Sequence, residues 1–155
     1  MSKNTTIKYY SDDAESFLAN TVNVNMSEHH ASFEKYLKPS DRILDLGCGS
    51  GRDSFHLLKQ GYSVVSVDGY AQMCKAAAVL TGKEARYMLF DQLDYVNEFD
   101  GIWACASLLH VSRDEMVNVL CLVKRALKNG SLYLSYKYGN MQREKDGRLF
   151  SEYTE

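Results

Sequence analysis

Three observations predict an α/β fold with a parallel sheet for this 155-residue chain. From residue 42 onward, short apolar runs alternate with segments of helical periodicity, the pattern of strand–helix–strand units joined by right-handed crossovers. The string Asp45-Leu46-Gly47-Cys48-Gly49-Ser50-Gly51 links the first of those runs to the helix behind it. Its glycines let the backbone turn sharply and approach a ligand without a Cβ in the way. The next apolar run ends in Asp68, where a carboxylate can accept both hydroxyls of a ribose. The combination indicates a nucleoside-containing cofactor at the carboxyl edge of the sheet.

The elements follow in order. A polar start leads into a short helix carrying Ala14, Phe17 and Leu18. Asn25 and Glu28 are spaced as a capping box, and Met26, His30, Phe33 and Leu37 then recur on one helical face. Pro39-Ser40-Asp41 ends that helix. A strand over Arg42–Leu46 precedes a helix over 51–60, stopped at Gly61; a strand over Ser63–Asp68 precedes a helix over 71–80, stopped near Gly82. Strands over 85–90 and 99–106 come next. Ser112 and Glu115 form a second capping box, Met116, Leu120, Val123 and Leu127 make the buried face, and Asn129-Gly130 closes the helix. The last strand spans 131–137, with Leu132, Leu134 and Tyr136 on one face. Residues 47–51, Asp68, Phe90-Asp91 and 106–110 all fall at carboxyl ends of strands, where parallel sheets bind their ligands.

Composition narrows the function. A single domain is expected, with a helical lid over 1–40, an α/β core over 41–138 and a polar tail over 139–155. A formal net charge of -2 argues against nucleic acid as a partner, which would need a basic surface. Cys48, Cys74, Cys105 and Cys121 are dispersed without a C-x-x-C pair, which reads as free thiols in a reducing cytoplasm. No signal-peptide core and no run of membrane-spanning length is present, so a cytoplasmic protein with no membrane partner is expected. No His, Asp or Glu cluster has metal-ligand spacing, so no metal is expected.

A dinucleotide site is excluded by the motif itself. In G-x-G-x-x-G the third glycine would fall on Arg52. The pattern present is acidic-x-G-x-G-x-G, and it resembles the first signature of class I S-adenosylmethionine-dependent methyltransferases. The Gly51-Arg52-Asp53-Ser54 string further resembles small methyltransferases of the tellurite-resistance type. The resemblance covers residues 9–150. It implies a Rossmann-like sheet of order 3-2-1-4-5 and methyl transfer from S-adenosylmethionine to a small-molecule acceptor by in-line displacement.

It also implies roles for individual residues. Gly47, Cys48, Gly49 and Gly51 would run beneath the methionine portion, with Asp45 positioning that loop and reaching the ammonium. Asp68 would take the ribose hydroxyls, with Gly69 and Tyr70 beside the adenine. Met73 would pack on the adenine face or serve as plain core. Phe90 and Asp91 follow the third strand, where Asp91 would accept the adenine amino group or cap a turn. Ala106 would offer its carbonyl to the ligand's amino group. Arg52 would pair with the methionine carboxylate or lie solvated, while Tyr10, with Tyr9 and Thr21 in a lid, is a second carboxylate contact.

His110, in the string Ser107-Leu108-Leu109-His110-Val111, is the candidate general base or else a wall of the acceptor pocket. Residues 138–155 are too few for the helix and hairpin that usually complete the class I sheet. That C-terminal hairpin is expected to be missing, leaving the last strand as an open edge for a homodimer. Arg143, Lys145 and Arg148 are expected to be solvated. The alternative to an enzyme is a non-catalytic protein that only binds the cofactor.

Overall fold

A computed structural model describes residues 14–154. Five parallel strands form the sheet: β1 (Arg42–Leu46), β2 (Ser63–Asp68), β3 (Ala85–Tyr87), β4 (Phe99–Ala104) and β5 (Leu127–Leu134). Their order is β3-β2-β1-β4-β5, as the family resemblance implies. The strand order therefore reverses between the parallel neighbours β1 and β4, the point at which such sheets open a crevice above the carboxyl ends of their strands.

Side chains alternate across each strand, so neighbouring residues enter different cores. Ile43 and Trp103 point to one face, where they meet Phe33 of α2 (Ser27–Glu34) and Leu57 of α3 (Arg52–Lys59). Leu44 and Ile102 point to the other, where Met116, Val119 and Val123 of α5 (Arg113–Ala126) cover them. All of these side chains are buried. Helices α1 (Ala14–Thr21) and α4 (Ala71–Thr81) complete the layers. No helix among the described residues is long and apolar enough to cross a membrane.

Several boundaries differ from the sequence reading: β3 ends at Tyr87 and β4 at Ala104, short of 90 and 106, and β5 runs over Leu127–Leu134 rather than 131–137. Helix α5 stops at Ala126, and Asn129-Gly130 lies inside β5 rather than closing the helix. The helix ends because the loop before β4 takes its last carbonyls: Asn97 N–H donates to Arg125 O and Glu98 N–H to Ala126 O. Gly130 serves a close approach between strands, since a Cβ there would collide with the carbonyl oxygen of Asp100. The β4–β5 register shifts at this point, with Phe99 opposite Leu127 and Gly101 opposite Ser131. Helix α2 starts one residue later than a box on Asn25 requires, because Asn25 Oδ1 accepts from Ser27 N–H and Met26 takes the cap position.

The five-stranded sheet contains no antiparallel strand, yet the tail is structured. Strands β6 (Gln142–Lys145) and β7 (Arg148–Ser151) pair as a separate antiparallel hairpin. A lone hairpin is marginal in water, and this one is clamped by tertiary bonds. Ser151 Oγ donates to Val111 O at 2.8 Å, Arg113 Nη2 donates to Glu152 O at 2.9 Å, and Arg143 pairs with Glu152 at 2.6 Å. Strand β6 is exposed throughout, as its charges suggest, whereas Leu149, Phe150 and Ser151 are buried. The apolar pair Leu149-Phe150 is what turns this charged tail inward.

Gly51 shows what holds the first turn to its surroundings. It sits at φ +83, and a Cβ there would lie 2.8 Å from the Cα of Ala77 in α4. Gly61 has a similar φ of +92 with open space around it. Gly61→Ala is expected to cost about 1 kcal/mol of unfolding free energy from its backbone conformation alone. Gly51→Ala should cost a further ~1–3 kcal/mol for the collision. Urea denaturation of both variants measures the difference; equal losses would remove the packing role.

Candidate active site

The first βα turn is folded back onto the neighbouring strand. Gly47 and Cys48 both donate their N–H to Val67 O at 2.9 Å, and Gly49 N–H donates to Asp68 Oδ2 at 2.9 Å. The acidic residue at the end of β2 thus shapes the glycine turn as well as facing the space above it. Burial raises the Asp68 pKa to about 6, against the backbone amides of Gly49 and Tyr70 that stabilise its charge. Asp68, the turn, and the segments after β3 and β4 enclose a cavity of about 600 Å³, within the range that holds small-molecule ligands.

The cavity has three regions. Gly69, Tyr70, Met73, Leu89, Phe90 and Asp91 line a largely apolar slot beside Asp68. Tyr70 contributes to the wall of this slot, while its hydroxyl is buried in the protein without a hydrogen-bond partner among the described residues. Phe17 and Thr21 of α1 cover Gly47, Cys48, Gly49 and Arg52. Ser107, Leu109, His110, Val111 and the hairpin residues Arg148 and Phe150 form the third region. Ala106 joins the regions at φ +49, with its N–H donating to Ser135 Oγ at 2.6 Å. Such a left-handed conformation costs a residue with a Cβ about 1–2 kcal/mol, so Ser135 fixes a strained corner of the cavity.

Beneath the turn lies a buried polar network. Asp53 accepts hydrogen bonds from His30 Nε2 at 2.8 Å, from Trp103 Nε1 at 2.9 Å, and from Arg52 Nε and Nη2, both at 3.0 Å. Burial alone would raise its pKa, but the donors of His30, Arg52 and Trp103 outweigh burial and hold the carboxyl well below the usual range. Arg52 extends the network by donating from Nη1 to Thr21 O at 3.2 Å. Next to it, Asp45 is buried and accepts from Ser54 Oγ at 2.6 Å. Ser66 Oγ lies 2.7 Å from Ser54 Oγ and supplies the remaining proton. Burial, then the charge of Asp53, pushes the Asp45 pKa upward.

On the far side of the cavity, His110 Nδ1–H donates to Leu149 O of the hairpin at 2.7 Å. That bond assigns the tautomer and leaves the basic lone pair of the neutral ring on Nε2. Burial first, and the cations of Arg148 and Lys137 with it, lower the His110 pKa to about 4 against the bond to Leu149. The ring is therefore neutral at pH 7.

Most of the residues singled out from sequence come together. Gly47, Cys48, Gly49, Arg52, Asp68, Gly69, Met73, Phe90, Asp91, Ala106 and His110 all line the cavity. Asp45 and Gly51 do not: Asp45 stands behind the turn with Ser54, and Gly51 packs on Ala77. Arg52 reaches the cavity, but its guanidinium is already engaged by Asp53 and Thr21. Tyr10 and Tyr9 lie outside the described residues. Cys105, Leu89, Asp114 and Asn118 also line the cavity without being foreseen. Asp114 and Asn118 are one helical turn apart on α5, a polar pair that periodicity alone assigns to solvent.

The methyltransferase domain family matches residues 43–130, more than half of the chain, including the glycine turn and the sheet as far as the first half of β5. The chain belongs to the class I S-adenosylmethionine-dependent methyltransferase family. Cyclopropane-fatty-acyl-phospholipid synthase of Escherichia coli K12 is 32% identical over 107 residues, covering 67% of this chain. This chain spans only 28% of that synthase. The structure of a 1,6-didemethyltoxoflavin-N1-methyltransferase from Burkholderia thailandensis, with S-adenosylhomocysteine bound, superposes with a TM-score of 0.76. It is 24% identical, and the match covers 96% of this chain and 68% of that one. A TehB-like S-adenosylmethionine-dependent methyltransferase from Corynebacterium glutamicum gives a TM-score of 0.62 at 22% identity, over 81% of this chain and 71% of that one. These two structures show the shared methyltransferase fold.

The Asp53 network ties α2, α3 and β4 together, so its loss should be felt as stability. Asp53→Ala leaves Arg52 and the Trp103 N–H buried without their acceptor, and an expected ~3–5 kcal/mol is lost in urea denaturation. Because the folded pKa is depressed, this contribution is present above the unfolded value of about 4 and disappears as pH falls below it. The wild type should therefore lose its advantage over the variant in acid. A gap unchanged between pH 7 and pH 2 would contradict the charged role of Asp53.

Proposed function

We propose that this chain catalyses methyl transfer from S-adenosylmethionine to a small-molecule acceptor, with the cofactor held by the glycine turn, Asp68 and the slot beside it. One observation carries the reading: a single cavity joins Gly47, Gly49, Asp68 and Asp91 to His110. The donor set suits this cofactor. Asp68 and Asp91 can accept from ribose hydroxyls and from an amino group, and Met73, Leu89 and Phe90 make an apolar slot for a flat base.

When bound, S-adenosylmethionine supplies a methyl group activated by its positive sulfur. The protein's task is to align the acceptor and keep water out. Phe17 and Thr21 cover the cofactor side of the cavity, and the β6–β7 hairpin walls the other side. His110 stands where an acceptor would enter. Its neutral ring, with Nδ1–H held by Leu149, is ready to take a proton from a protonated nucleophile. Relatives by sequence are named for lipid, glycine and sterol methylation or synthesis, so membership of the family leaves the acceptor open.

Asp68 must be ionised to accept from two hydroxyls. Since its pKa is about 6, affinity for S-adenosylhomocysteine should be constant above that pH and fall by up to tenfold per pH unit below it. Asp68→Ala should weaken binding at least tenfold and flatten this dependence. Calorimetry with S-adenosylmethionine and S-adenosylhomocysteine measures both, and an absence of binding would overturn the reading. Turnover against a panel of metabolites separates the enzyme from a protein that only binds. His110→Asn should then lower kcat at least a hundredfold while leaving cofactor affinity unchanged.

A further inference from the structure

The bend that follows β4 stands between the two sides of the cavity. Ala106 is its pivot, exposed on the cavity wall at φ +49, with Cys105 and Ser107 beside it. On the cofactor side, Ser107 Oγ donates to Leu46 O at 2.7 Å, and a Cβ added to Gly47 would come within 2.5 Å of the Ser107 Cβ. On the acceptor side, Ser107 O accepts the N–H of His110 at 3.2 Å. The conformation of Ala106 therefore decides how the two sides lie relative to one another.

An alanine resists that conformation, because its Cβ crowds the backbone in the left-handed region. Ser135 supplies the compensation. Its Oγ accepts from Ala106 N–H at 2.6 Å, and its own N–H donates to Ala104 O at 3.3 Å. One residue just past the end of β5 thus clasps the bend at two points, from outside the cavity lining. The hydroxyl is also a hydrogen-bonding neighbour of Cys105 and Tyr133, and Tyr133 is stacked on buried Trp103 at 3.9 Å. The free energy of one hydrogen bond is comparable to the left-handed penalty of one alanine. Loss of the hydroxyl alone is therefore enough to let Ala106 relax.

We propose that Ser135 is a positioning residue for the methyl donor: by holding Ala106 left-handed it presents the backbone of residues 105–107 to the amino-acid end of the cofactor and fixes that end relative to His110. The inference rests on the function proposed above. Ser135 itself touches neither donor nor acceptor. It supplies a corner that is already formed before the ligand arrives, so binding does not have to order it. Threonine at this position keeps the hydroxyl and should keep the role. Glycine at position 106 makes the hydroxyl dispensable, because glycine adopts positive φ without the Cβ penalty.

The test is calorimetry with two ligands, S-adenosylhomocysteine and 5′-methylthioadenosine, the second of which lacks the amino-acid group. Ser135→Ala should weaken S-adenosylhomocysteine about tenfold and change 5′-methylthioadenosine by less than about twofold. Ser135→Thr should retain wild-type affinity for both. The double variant S135A/A106G should recover most of what S135A loses. Titrations are run where urea denaturation shows each variant to be folded, so that unfolding does not pass for weak binding. Without ligand, the Ala106 amide should exchange its hydrogen faster in S135A than in the wild type, and faster exchange confirms that the clasp has opened. Undiminished S-adenosylhomocysteine affinity in S135A, an equal loss for both ligands, or no recovery in S135A/A106G overturns the inference; the equal loss would mark Ser135 as a general support of the sheet. Wild-type protein that binds neither ligand would remove the methyl-transfer reading, and this role with it, whatever the exchange rates show.

Discussion

Asp53 sits in the first turn of α3 with donors on three sides and little water near it. His30 reaches it from α2, Trp103 from β4, and Arg52 from the adjacent position, and Arg52 in turn holds the last carbonyls of α1 through Thr21. A buried carboxylate is stable only when its lone pairs are met by charged or strongly polar donors. Here that requirement fixes four elements in one arrangement. The direction of α3 follows, and with it the shape of the glycine turn that leads into the helix. Trp103 stacks on Tyr133 at 3.9 Å, so the constraint extends across the sheet to β5.

The cavity above this network is built in two ways. Its cofactor side comes from the sheet itself: the turn after β1, the carboxylate ending β2, and the segments following β3 and β4. These are held by backbone hydrogen bonds to Val67 and by side-chain bonds such as Ser107 Oγ to Leu46 O at 2.7 Å. Its opposite side comes from a short hairpin that the sheet does not contain. That hairpin depends on a few clamps to Val111, His110 and Arg113, and on burial of Leu149 and Phe150.

The bond from His110 to Leu149 joins the two halves. A histidine at the end of a 3₁₀ turn, Leu108–His110, has two tautomers available, and the hairpin selects one by accepting from Nδ1. The state of the candidate base is therefore set by the least sheet-like part of the molecule. Its depressed basicity has the same origin, since burial under the hairpin is joined there by Arg148 and Lys137.

The strand–helix alternation and the glycine turn with Asp68 could be read from residues in line, because periodicity and a contiguous motif are local properties; the strand order followed from the family resemblance that the motif carries. The same is true of most of the cavity lining, since parallel sheets put their loops at one edge whatever else they do. Contacts between residues far apart in the chain decided the rest. Helix α5 ended at Ala126, short of Asn129-Gly130, because Asn97 and Glu98 took its carbonyls, and Gly130 was needed beside Asp100 rather than as a cap. Asp45 lost its place in the cavity to a bond with Ser54, Arg52 was claimed by Asp53, and a tail rich in charge was folded over His110 by its one apolar pair. A linear sequence records which donors and acceptors exist; only the folded chain decides which of them meet, because each buried polar group binds whatever partner the packing brings within about 3 Å.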